Sequence, residues 1–143
     1  MPHDPPPQWQ PLGRLPLIAA ILDGMLTDTE EHYQTLLEAK PKPHVLDDAT
    51  VTRVLQVYTD QAADFWLYQE QLARWGRDTL TPAQHQEVTR LSEQLGRLRT
   101  INAAILTLAE ELQAGTIERM LAKSDLEIGL EWLLRQSGER RER

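Results

Sequence analysis

The chain has 143 residues, 41% of them hydrophobic and 26% charged, with a formal net charge of −7 and no cysteine. That composition fits one soluble globular domain and excludes wholesale disorder, and the missing cysteines exclude a disulfide framework, thiolate metal ligands and thiol catalysis. Acidity with scattered Lys and Arg disfavours nucleic acid as a partner, and no run approaches the roughly 20 apolar residues of a membrane span.

Residues 1–16 carry six of the nine prolines, which deny them helix and favour an extended, polyproline-like arm over 1–13. Trp9 lies within it, either on a loose tail or docked on the body or a partner. The run "RLPLIAAIL" is too short for a targeting signal, and Asp23-Gly24 follows it where a small-residue cleavage site would stand. It reads as buried helix, and the chain reads as cytoplasmic.

The first helix is expected over about 16–39. Leu15, Ile18, Leu22, Met25, His32 and Leu36 follow alternating steps of three and four, with Thr29 filling a gap. Gly24 and the Thr27–Glu30 capping pattern permit a break, but a continuous helix is the preferred reading. In "LEAKPKPHVLDD", residues 37–48, Pro41 and Pro43 stop that helix, and Asp47 or Asp48 offers a carboxylate to the free amides of the next. The chain therefore turns a corner within one bundle rather than linking two units.

The second helix, about 49–75, carries Val51, Val54, Tyr58, Phe65, Tyr68, Leu72 and Trp75, with Gln61 interrupting the stripe and Gly76 as C-cap. Thr81, Pro82 and Gln84 form a capping box that opens a third helix over about 82–114. Its stripe is Val88, Leu91, Leu95, Leu98, Ile101, Ile105, Leu108 and Leu112. The small residues Ser92, Gly96 and Ala103 suggest another helix close to an adjoining face. After Gly115, Thr116 caps a short helix with Ile117, Met120 and Leu121. Ser124 with Glu127 opens another, in which Leu126, Leu130, Leu133 and Leu134 face inward and Trp132 lies at the edge.

The expectation is thus all-α: an antiparallel bundle of three long helices, a C-terminal cap of two shorter helices turning back along the third, and a Pro-rich N-terminal arm. Residues 14–136 form the single domain, and 137–143 are a solvated, frayed tail.

Chemistry is sparse. No Glu stands three residues before a His, no serine follows a Gly-rich turn, and no phosphate-cradling motif occurs. Catalytic residues, cofactors and a metal are not expected; Asp28, Glu31 and His32 are the nearest to a metal set. The acidic string Asp23, Asp28, Glu30 and Glu31 resembles in outline the carboxylate-rich helices by which all-α nucleotide pyrophosphohydrolases hold magnesium. A Mg²⁺-dependent phosphohydrolase is therefore the alternative, although helix two offers only Asp60, Asp64 and Glu70 to face it. An acidic inhibitor that mimics nucleic acid for a basic partner is the second alternative. The leading expectation is an interaction module or accessory subunit, self-associating as a dimer or bound to a protein partner, with contacts through Trp9, Leu17, Ile21, Ala62, Trp66 and Ala73.

Overall fold

A computed structural model describes residues 6–141, with side chains over 6–136. It is all-helical. Helix α1 spans Leu15–Ala39, α2 Asp48–Gly76, α3 Pro82–Gln113 and α4 Ile117–Arg141, with single 3-10 turns over Leu12–Arg14 and Pro43–Val45.

α1 is unbroken through Gly24. Its buried positions are Leu15, Ala19, Leu22, Leu26, Thr29 and Leu36, whereas Ile18 and Met25 are half-buried and His32 is exposed. The buried line is rotated from the expected one because the start of α1 is apolar on every face, which leaves two stripes open and lets packing on α3 choose. In α2, Val51, Tyr58, Phe65 and Leu72 recur every seventh residue. In α3, Val88, Leu91, Leu95, Leu98, Asn102, Ile105, Ala109 and Leu112 alternate in steps of three and four without a gap. A repeat averaging about 3.5 residues keeps one seam inward as helices wind around each other.

α3 is the central helix, packing along both α1 and α2. Ion pairs Asp23–Arg90 and Glu30–Arg97 advance together along α1 and α3, so these helices run parallel. Hydrogen bonds Thr29–Gln61 and His32–Tyr58 advance along α1 while receding along α2, so α2 runs antiparallel to α1 and hence to α3. One apolar cluster joins Leu15, Leu22, Phe65, Trp75, Leu91 and Leu98; a second joins Leu36, Tyr58, Ile105, Leu108 and Leu112.

Between the two clusters lies a polar layer. Gln61 Nε2 donates to Thr29 Oγ1 (3.2 Å) and to Asn102 Oδ1 (2.9 Å), and Asn102 Nδ2 donates to the Tyr58 carbonyl (3.0 Å). Tyr58 is buried, its phenol pushed above its ordinary pKa chiefly by that burial, and its hydroxyl hydrogen-bonds His32 Nδ1. Among the described residues no buried side-chain polar atom lacks a partner.

The arm is seated from Trp9 onward. Gln71, buried on α2, accepts from the Gln10 amide at 2.6 Å and donates to its carbonyl, which also accepts from Trp75 Nε1 at 3.0 Å. Residues 1–5 of the expected arm lie outside the described residues.

The helix ends differ in one respect from expectation. No described glycine or other residue has positive φ, so neither Gly76 nor Gly115 acts as a left-handed cap. Gly115 is required by space instead: a Cβ there would meet the Pro43 ring at 2.5 and 2.8 Å. Thr81 and Gln84 form the expected capping box, and Asp47 accepts from the Thr50 amide at 2.7 Å.

Three expectations for the C-terminus are corrected. Residues 117–141 form one helix rather than two, because no Gly or Pro interrupts 116–128 and Ser124 sits among strong helix formers. This helix also continues to Arg141, through most of the segment expected to fray. Nor does it turn back along α3. Its packing is with the Pro43–Val45 turn and the start of α2.

Candidate interaction surface

Among the described residues, α4 is moored at its first turn, and its side chains from Ile117 to Gln136 are exposed. The Ile117 amide donates to the Leu46 carbonyl at 2.8 Å. The Asp48 amide, one of the unpaired donors at the start of α2, is capped by Glu118 Oε2 at 2.9 Å. In return the Asp48 carboxylate accepts from the buried Thr116 hydroxyl at 2.6 Å and faces Arg119. The two helix starts thus brace each other: Glu118 caps an amide of α2, the Leu46 carbonyl caps an amide of α4, and the Asp48 carboxylate takes the Thr116 hydroxyl. The corner at residues 37–48 is thus both the turn between α1 and α2 and the seat of α4.

Beyond that seat, α4 leaves its apolar side chains in solvent. Nine large apolar residues between Ile117 and Leu134 are exposed, among them Leu126 at 65% and Leu134 at 71%. Leu126, Leu130, Leu133 and Leu134, expected inward, are therefore outward, because the bonds at Leu46 and Asp48 hold the start of α4 on the corner and no α1, α2 or α3 flank lies beside the rest. At about 100° per residue, Ile117, Leu121, Ile128 and Trp132 make one stripe, while Leu126, Leu130 and Leu133 make a second on the opposite side.

The expected contact residues fall in three places. Trp9 and Trp66 meet edge to face with ring centroids 6.4 Å apart, and the Arg74 guanidinium lies 4.4 Å over the Trp9 ring. Trp66 nevertheless keeps 53% exposure, and Ala62 lines a shallow recess beside it with Asn102 and Ala103. Ala73 borders a different groove, between α2 and α3, with Gly76, Ser92 and Gly96. The small residues of α3 thus border open grooves, which no other helix covers among the described residues. Leu17 and Ile21 are exposed on the side of α1 away from the core. The six residues do not form one patch. The larger apolar surface on α4 was missed because its leucines fit an inward stripe equally well.

The acids of α1 face arginines rather than other acids. Arg90 grips Asp23 through two 2.9 Å bonds and also holds Glu87; its hydrogen bonds draw both carboxyls below their ordinary pKa. Arg97 pairs with Glu30 at 3.0 Å. Asp28, Glu31 and His32 are exposed, and among the described residues no group of three or more His, Asp or Glu is placed to hold a metal ion. No described helix is long and apolar enough to cross a membrane.

Comparison with protein-family models, curated proteins and solved structures finds no significant match.

Proposed function

We propose that this chain is a cytosolic helical interaction module or accessory subunit that self-associates, carries no catalytic site of its own, and docks through α4. The observation that carries this reading is the exposure of nine large apolar side chains on a helix seated, among the described residues, at its first turn. Burying one such side chain is worth about 1.5–3 kcal/mol, so a partner surface gains far more from α4 than water does. Together they present on the order of 1,000 Å² of apolar surface, comparable to the roughly 800 Å² that each partner of an ordinary interface buries.

Leu126 and Leu130 lie within α4 and beyond its seat, so replacing both by Glu alters the exposed stripe without touching the three-helix core. The double variant is expected to keep the wild-type melting temperature of the monomeric body and to sediment as a monomer where the wild type does not. Identical sedimentation of variant and wild type would refute docking through α4.

A further inference from the structure

Resting on that reading of α4, we propose that its partner is a second copy of this chain, and that α4 of each protomer lies in the groove between α1 and α2 of the other.

The groove lies between the end of α1 and the start of α2. It has a volume of about 290 Å³, and Leu36, Leu46, Val54, Val57 and Tyr58 form its walls with Arg53 among the lining residues. Val57 is 47% exposed there. α1 and α2 both pack along α3 and meet each other through side chains, which leaves a cleft open to solvent between the end of α1 and the start of α2 against which another helix can pack. A four-helix arrangement is completed when another helix fills it.

Three features identify the occupant as α4 of a second copy. α4 has two opposite apolar stripes, and a helix apolar on opposite sides needs a surface against each. A twofold pair supplies both: one stripe enters the partner's groove, and the other meets the partner's α4. Each protomer then gives and receives the same contact, as a closed symmetric interface requires. The groove and the seat of α4 are also continuous, since Leu46 lines the groove and its carbonyl accepts from the Ile117 amide. Finally, Glu127 and Glu131, one turn apart between the stripes, complement Arg53 at the groove. The seat itself holds α4 out of its own groove, leaving that groove for the partner.

The chain has no cysteine, so introduced thiols report without background. Full-length Val57→Cys and Leu130→Cys are mixed and treated with a bismaleimide. The expected result is a covalent dimer from the mixture at least about tenfold above either variant alone. If light scattering gives a dimer but the mixture cross-links no better than its components, the groove assignment falls while docking through α4 stands. If the chain is monomeric throughout, self-association falls as well. A doubly substituted chain that cross-links within itself would overturn the exchange between copies. As an independent check, Val57→Arg alters an exposed body residue and should raise the dimer Kd at least about 30-fold; an unchanged Kd would overturn the proposal.

Discussion

Asn102 occupies a core position of α3 whose neighbours along the seam are Leu98 and Ile105, and its amide is spent on two other helix positions, Gln61 and the Tyr58 carbonyl. Truncating it takes one of two acceptors from the half-buried Gln61 amide, removes the side-chain donor to the Tyr58 carbonyl and empties a buried position, whereas replacing the whole layer with apolar residues leaves none of its members half-paired. We therefore expect Asn102→Ala to cost about 2 kcal/mol, and the triple change Thr29→Val, Gln61→Leu, Asn102→Leu to cost less than that single one, both read from urea midpoints. The layer also fixes axial register, since only one alignment of the three helices brings its members together. The sequence revealed two of the three members as irregularities, Thr29 filling a gap and Gln61 interrupting a stripe. Asn102 was hidden by Ile101, which satisfies the same spacing one residue away. Gln71 gave no signal at all, because its partners are backbone atoms of an arm 61 residues distant. Arg90 makes a second prediction at this scale. Its bonds depress the pKa of Asp23 and Glu87, so their contribution is complete near neutral pH and is lost as pH falls below about 4, through the depressed folded-state values. With Arg90 and Asp23 each 42% exposed, solvent screening keeps the effect small. Arg90→Met should lower stability at pH 7 by roughly 0.5–1 kcal/mol, and the difference should vanish near pH 2 in a pH series of denaturant melts.

At the scale of elements, boundaries written in prolines and caps were legible, and the destination of the last helix was not. Pro41, Pro43, Asp47, Thr81 and Pro82 act locally, so their meaning survives without knowledge of the fold. The fate of α4 depends on groups far away in the chain: Pro43 against Gly115, Leu46 against Ile117, and Asp48 against Thr116 and Glu118. A capping box at Ser124 reads the same whether or not a helix starts there, because the motif offers a start without compelling one. Gly115 tests this account of the corner. Its backbone angles suit any residue, so only the proximity of the Pro43 ring excludes a side chain. Gly115→Ala should therefore destabilise the protein by about 1–3 kcal/mol despite improved helix propensity, seen as a lower melting temperature. A neutral or stabilising effect would mean that the seat of α4 yields to a methyl group.

For the molecule as a whole, helical class followed from periodicity, since three seams at about 3.5-residue spacing admit no sheet. The balance of buried and exposed apolar surface did not follow, because Leu126, Leu130, Leu133 and Leu134 of α4 are expected inside by their spacing and are outside in the structure. That imbalance is the physical basis of the proposed assembly role: the three-helix body buries a core of its own, whereas α4 leaves its large apolar side chains in solvent. The molar mass of the full chain by light scattering, followed through a dilution series at physiological salt, tests this most directly. The account predicts twice the mass of one chain at high concentration, falling toward one chain on dilution. A mass of one chain at every concentration would contradict it.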